Sequence, residues 1–369
     1  MSRTRTALGL CTAALLALTV ACGTTEDPAA AGTQAAGAAA SAVAATTETE
    51  TSTDSGPGSD AAAGSSVAPS AGAASSAASS ATGPVEITDG RGTTLTLEKP
   101  ATRVVALEWG EAETLASLGV MPVGVADLKG YTTWDVAEPM DSSVKDVGTR
   151  SEPSIDAILA LKPDLVVITG DSADQAKLIG NSVPVLVTKG TDPTRQLDRL
   201  RDDVTLLAAA TGTEAAGEKL LADMDSTLVN GKAALAAAGN AGDPFLMADG
   251  WKEGSAVAIR VFAKGSQNSD VAEALGLKNA WTGKGDAAWG LAQTDVEGMA
   301  AMTDPALRLF YSASEEDVFV DGLAQNPIWK SLPFVKSEQL TKLRTGTWTF
   351  GGPASVDFFV EQVLAAYGA

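Results

Sequence analysis

Histidine is absent from this 369-residue sequence, and cysteine occurs only twice. Without histidine there can be no His-containing nucleophile triad, no His-based zinc site and no axial-His haem ligation. Cys11 lies in an apolar N-terminal run and Cys22 just beyond it, so the rest of the chain can form neither a disulfide nor a thiolate metal site. A Gly-x-Ser-x-Gly elbow, a Walker loop and a Gly-x-Gly-x-x-Gly turn after a strand are missing too. Basic residues are outnumbered, with 26 Lys and Arg against 46 Asp and Glu and a formal charge of -20. Nucleic acid is therefore not an expected partner.

What is present begins with an address. Arg3 and Arg5 precede an apolar run from Leu8 to Val20 that is too short to span a bilayer, and Ala21 is a small residue before Cys22. This is the pattern of a secretory signal over residues 1–21. Leu18-Thr19-Val20-Ala21-Cys22-Gly23 resembles a bacterial lipobox, which implies lipidation of Cys22, although Thr19 stands where an aliphatic residue is usual. Plain secretion with cleavage near Cys22 is the other reading. Residues 22–83 are Ala, Gly, Ser and Thr with six scattered acids and no aromatic. Such a segment cannot bury enough apolar area to offset chain entropy, so it is expected to be a disordered tether. Two arginines in the signal and six acids in the tether explain little of the charge: the remainder keeps an excess of about 16 acids.

The folded part is expected from Pro84 onward. Val85–Asp89 and Thr93–Leu97 flank Asp-Gly-Arg-Gly as a hairpin. Strand 103–107, helix 111–118 and strand 123–126 follow, then a loop holding Asp127, Tyr131 and Trp134. Asp146 to Thr169 gives a Gly-containing turn with Arg150, a helix capped by Ser154, a Lys-Pro-Asp break and a buried strand 165–168. Helix 174–179 and strand 183–187 complete a first lobe, 84–212. Helix 194–210 precedes a run of helical periodicity at 214–238, long enough for roughly 37 Å. A second series follows, with strands 245–248, 257–262 and 307–311, helices 268–275, 295–302, 317–324 and 353–366, and a short strand 339–343. The expected fold is therefore two α/β lobes built on parallel sheets, 84–212 and 241–369, joined by one stiff helix at 213–240, with a cleft between them.

Several motifs stand in this order. The first lobe has Arg103-Val-Val-Ala-Leu-Glu-Trp109, Leu118-Gly-Val-Met-Pro-Val-Gly-Val-Ala-Asp127, Asp146-Val-Gly-Thr-Arg-Ser-Glu-Pro153 and Leu161-Lys-Pro-Asp-Leu165. The second has Gly276-Leu-Lys-Asn-Ala-Trp281, Trp289-Gly290, Asn326-Pro-Ile-Trp-Lys-Ser-Leu-Pro-Phe334 and Trp348-Thr-Phe-Gly-Gly-Pro353. Together they resemble the substrate-binding lipoproteins of iron-siderophore ABC importers, most closely the ferric-hydroxamate binders. The resemblance implies a non-enzymatic, monomeric receptor on the outer face of the membrane, held there by its lipid. It implies a ferric siderophore as ligand, no cofactor, an ABC permease as partner and little hinge closure. A ferric siderophore shows organic oxygens and apolar surface to its receptor, so the site needs donors and flat walls and no metal ligands of its own.

Carried onto this sequence, the resemblance makes Arg150 a donor to ligand oxygens; spacing alone offers an ion pair with Glu152 or Asp146 instead. Trp289, Trp348 and Phe350 match cleft walls, with core packing as their alternative. Trp134 and Tyr131 lie in the corresponding first-lobe loop, whereas Trp109 and Trp281 read as structural support. Arg260 is a charge inside a strand pattern, either reaching the cleft or pairing with an acid at a sheet edge. Asp171 stands where hydroxamate binders can carry tyrosine, so it either favours a cationic complex or caps a helix. Asp156 and Glu297 match the acids that pair with permease arginines; a helix first turn and a capping box are their local alternatives. A cobalamin or haem receptor of the same fold, and a secreted α/β hydrolase or lyase, are the competing functions.

Overall fold

The computed structural model describes residues 83–369, except Ser255 and Glu315 and the side chains of Asp171 and Ala173. The signal, the tether and Cys22 lie outside the described residues. Strands β1 (Val85–Thr88) and β2 (Thr94–Leu97) form the expected antiparallel hairpin. Its turn is closed by the Asp89 carboxylate, which accepts from the backbone N–H of Arg91 at 2.9 Å and of Thr93 at 3.0 Å.

A run of β3 (Val104–Ala106), α1 (Trp109–Ser117), β4 (Gly124–Val125), α2 (Leu128–Trp134), β5 (Lys145–Asp146), α3 (Ile155–Ala160), β6 (Leu165–Thr169), α4 (Ala173–Ile179) and β7 (Val185–Thr188) then builds a parallel sheet. Its order is β5-β4-β3-β6-β7. All five positions of β6 are buried, as the uninterrupted Leu-Val-Val-Ile run requires of a strand covered on both faces. Because β3 is an inner strand, its end delivers Glu108 and Trp109 beside the loop that leaves β5.

Helices α5 (Gln196–Thr211) and α6 (Glu214–Ala237) follow. The 24 residues of α6 span about 36 Å at 1.5 Å each. Ala216, Leu220 and Leu221 pack against the core of the first sheet, while Met224, Leu228 and Leu235 are buried in the core of the second. The helix is thus packed along its length and joins both cores.

The second sheet contains β8 (Pro244–Glu253), β9 (Ala256–Phe262), then after α7 (Gln267–Ala274) the short β10 (Lys278–Asn279), β11 (Leu291–Thr294) and β12 (Arg308–Ser312). Helices α8 (Pro327–Ser331) and α9 (Pro333–Lys336), strand β13 (Leu340–Lys342) and helix α10 (Pro353–Tyr367) complete it. The strand order is β11-β9-β8-β12-β13, with β10 on β8. This sheet is mixed where a parallel one was expected: β9 runs antiparallel to both of its neighbours, β8 and β11, because β8 returns directly into it.

Other departures from the sequence expectation are local. Residues 128–134, expected as loop, form α2, started by Asp127 at φ 49° with its Oδ1 accepting from Gly130 N–H at 3.0 Å. At 295–302, expected as a helix, the chain leaves strand β11 and makes only a single 3-10 turn at Gly298–Ala301. At 317–324 the chain makes one wide turn over Val318–Gly322. No helix among the described residues is long and apolar enough to cross a membrane.

A buried polar joint ties α1 to the start of α10. Glu113 is fully buried and accepts from Gly352 N–H (3.0 Å), Ser355 N–H (2.8 Å) and the Ser355 hydroxyl (2.6 Å). It thereby satisfies amides that the first turn of a helix leaves unpaired. Beside it lies Asp135, also buried, whose carboxyl burial and the neighbouring Glu113 charge push up to about 10. Neither Asp135 oxygen receives a well-formed hydrogen bond among the described residues, as expected if a protonated Asp135 donates to Glu113. A second joint runs through Arg199, which bonds Asp203 at 3.2 Å and Gln267 Oε1 at 3.0 Å, and Gln267 donates on to Gly351 O at 2.8 Å.

Candidate functional site: two ion pairs joined by aromatic rings

Arg150 sits in the loop after β5. Asp146 shapes that loop, its carboxylate accepting from Gly148 N–H at 2.8 Å and Leu128 N–H at 2.9 Å. Gly148 has φ 101°, and a Cβ there would stand 2.8 Å from Ser154 N, so the turn admits only glycine. With Asp146 so occupied, Arg150 pairs with neither neighbour suggested by spacing. Its partner is Glu108 at the end of β3: Nε donates to Oε2 at 2.8 Å, and Nη2 lies 2.7 Å from the same oxygen as an ion pair. Nη1 makes no hydrogen bond among the described residues. The guanidinium lies 4.5 Å from the Trp109 ring centroid and 5.5 Å from that of Trp348, within the range of a cation–π attraction.

The counterpart on the second sheet is built by strand register. Asp249 on β8 and Arg260 on β9 are direct cross-strand partners. Arg260 Nε donates to Asp249 Oδ1 at 2.9 Å, and Nη2 bonds Oδ2, a two-pronged pair. Burial pushes the Asp249 carboxyl up, and Arg260 beside it acts the other way. The expectation of a sheet edge is corrected here, because β9 lies between β8 and β11. Arg260 pairs with an acid, as one of its two alternatives had it, and lies 5.7 Å from the Phe350 ring centroid, 5.8 Å from Phe262 and 6.0 Å from Trp251.

Rings connect the two pairs. Trp109 meets Trp348 at 4.7 Å between centroids, Trp348 meets Phe350 at 5.3 Å, and Phe350 meets Trp289 at 5.2 Å, all edge-on. The loop carrying Trp289 is organised by Asp286, which accepts from Ala288 N–H and Trp289 N–H at 2.8 and 2.6 Å. Thr191, beyond β7, donates to Ala288 O at 2.6 Å and ties that loop to the first half. Gly290, at φ 69°, passes so close to Gly265 that a Cβ would come within 2.5 Å of its carbonyl carbon. Trp289, Trp348 and Phe350 all remain half-buried.

The structure thus brings Arg150, Arg260, Trp289, Trp348 and Phe350 into one continuous cluster. Tyr131 is not part of it: the residue is the fully buried member of α2 and its hydroxyl donates to Glu138 O, so the expectation that it faces a ligand is corrected. Trp134 packs half-buried against the first core and has no ring partner among the described residues. The side chain of Asp171 lies outside the described residues. Asp156 is exposed in the first turn of α3, whose N-cap is Ser154. Glu297 is exposed and forms no cap bond; Asp295 caps Gly298 N–H instead, at 2.9 Å. Sequence reasoning missed Glu108, Asp249 and Trp251, and it assigned Trp109 to support alone. Asp249 had a signal, a charge interrupting the apolar Phe245–Ala248 run opposite another charge in β9.

The site therefore offers multi-donor cations at both ends of an aromatic wall, with Glu108, Trp109 and Arg150 beyond the carboxyl ends of β3 and β5, where open α/β sheets bind ligands. Among the described residues no group of three or more Asp, Glu, His or Cys could hold a metal ion. With this geometry in place, the chain is assigned by similarity: it belongs to the periplasmic binding protein family, whose model matches residues 104–345. It is 27% identical over 269 residues to the iron(3+)-hydroxamate-binding protein FhuD of Escherichia coli, covering 72% of this chain and 87% of that relative. It is 30% identical over 283 residues to the Fe(3+)-citrate-binding protein YfmC of Bacillus subtilis, covering 75% and 84%. Among solved structures it is similar to the Fe3+-Desferal-bound siderophore binding protein FhuD from Vibrio cholerae, with TM-score 0.64, 26% identity and coverage of 73% of this chain and 98% of that one.

Proposed function

We propose that this chain is an extracytoplasmic receptor, without catalytic activity, that captures a ferric siderophore and hands it to an ABC importer, a hydroxamate complex being the favoured ligand. The observation that carries this reading is the joining of Arg150 to Arg260 through Trp348 and Phe350, each arginine keeping Nη1 without a hydrogen bond among the described residues. Such an arrangement suits a compact complex whose iron is already wrapped in oxygens, with guanidinium donors meeting the oxygens and rings covering the organic shell. The relatives named for hydroxamate, citrate and Desferal complexes support the same class of ligand. In this reading residues 84–212 and 241–369 act as two lobes joined at 213–240. Cys22 carries the lipid anchor, the receptor acts as a monomer, and exposed Asp156 and Glu297 meet permease arginines.

The test is a titration of intrinsic tryptophan fluorescence, because Trp109, Trp289 and Trp348 all stand in the cluster. Ferrioxamine, ferrichrome, a ferric catecholate, ferric citrate, cobalamin and haemin would be compared. Quenching by at least one ferric siderophore below micromolar concentration is expected. Silence with every iron complex, or tight binding of cobalamin or haemin alone, would refute the proposal.

A further inference from the structure

The charge of the site is as specific as its shape. Each of its two arginines arrives with its own carboxylate: Glu108 holds Arg150 through one hydrogen bond and an ion-pair contact to one oxygen, and Asp249 holds Arg260 through both of its oxygens. All four side chains are at most about a third exposed, at 31% and 17% for the first pair and 25% and 18% for the second. Between the pairs stand uncharged rings. Charge at this depth is screened less than at an open surface, so the balance inside the cluster matters for what enters it.

We infer that Glu108 and Asp249 are the residues that set ligand charge here, and that they reserve the site for ferric chelates with no net negative charge. This rests on the ferric-siderophore reading and narrows it. Three hydroxamates, each bearing one negative charge, cancel the three positive charges of ferric iron and leave a neutral core. Three catecholates carry six negative charges and leave a trianion, and ferric citrate complexes are anionic as well. A trianion entering this cluster would meet guanidinium groups whose charge is already neutralised and two carboxylates that repel it. A neutral chelate asks only for donors, and Nη1 of each arginine remains for that purpose. The acids therefore work by exclusion, which is how discrimination between ligands of similar size is commonly built.

The decisive measurement compares two probes, ferrichrome (neutral) and a ferric tris-catecholate (trianionic), in the parent chain, Glu108→Gln, Asp249→Asn and the double variant. The parent is expected to bind ferrichrome at least about 100-fold more tightly than the tris-catecholate. In the double variant that preference should shrink at least about tenfold, and each single variant should move it part of the way. The single Glu108→Gln change keeps the test readable if the double variant does not fold. Equal affinity of the parent for both probes would overturn the inference, as would a preference that none of the variants changes. Failure of the parent to bind any ferric chelate would overturn the ferric-siderophore reading itself, so the two can fail separately.

Discussion

The buried Glu113 and Asp135 pair makes a quantitative prediction about pH. In the folded chain Asp135 titrates near 10, against an ordinary value of 3.8, because it is buried and faces Glu113. Across that window the native pair holds a proton that the unfolded Asp135 has released. Stability must then fall as pH rises, by about 1.4 kcal/mol per pH unit for one extra bound proton. Between about pH 6 and 8 this pair alone should cost about 2.7 kcal/mol. Asp135→Asn removes the titration but keeps a donor, since the amide N–H can replace the carboxyl O–H toward Glu113. Other buried acids raise the slope in both proteins, among them Glu111, pushed up to about 7 by burial and the nearby Asp203 charge. The informative quantity is therefore the difference between variant and parent. Urea unfolding of both chains without ligand, followed by fluorescence at about pH 6, 7 and 8, should show the variant gaining roughly 2–3 kcal/mol on the parent over that span. Parallel stability profiles would refute the shared proton.

Arg150→Ala is expected to weaken ferric-siderophore binding by roughly 10- to 100-fold, the worth of about 1.5–3 kcal/mol for hydrogen bonds from a charged donor, while changing the urea midpoint no more than a surface substitution does. Unchanged affinity would reduce the Arg150 and Glu108 pair to a structural contact. Leu235→Ala, at a fully buried position of α6 in the second core, should lower unfolding free energy by about 2–5 kcal/mol, and a loss below 1 kcal/mol would mean that α6 is not a shared spine. Replacing Asp156 and Glu297 together should slow siderophore uptake by cells while purified protein still quenches with ligand; normal uptake would remove both from permease docking.

Much of the scaffold could be read in advance because its signals are local. The Leu165–Thr169 strand is an unbroken apolar run between turn residues, and α6 repeats its buried side chains at helical spacing over 24 residues. Ser154 marked the start of α3 by its chemistry alone. Contacts made by topology could not be read in this way. Arg150 and Glu108 are 42 residues apart and meet only because β3 and β5 flank β4, an order that no window of sequence contains. Tyr131 looked like a loop aromatic because 128–134 is short and its N-cap, Asp127, adopts a left-handed backbone that few asparagine-like residues signal in advance. Residues 291–301 misled for a different reason. Val296 and Met299 are buried three apart, and that spacing fits one 3-10 turn as well as it fits the start of an α-helix.

The segment carrying Trp348 and Phe350 runs straight into α10. Its backbone lies against Gly110, where a Cβ would come within 2.8 Å of Phe350 O, and Glu113 fixes the amides that follow. The aromatic wall is therefore fastened to both halves before any ligand arrives. The consequence is kinetic. A wall so fastened needs no rearrangement of its own, so on the proposed function capture is expected to be a single bimolecular encounter whose observed rate climbs linearly with ligand concentration and does not level off. Different chelates would then differ chiefly in how long they stay, so residence time becomes the quantity that a transporter taking the ligand has to overcome.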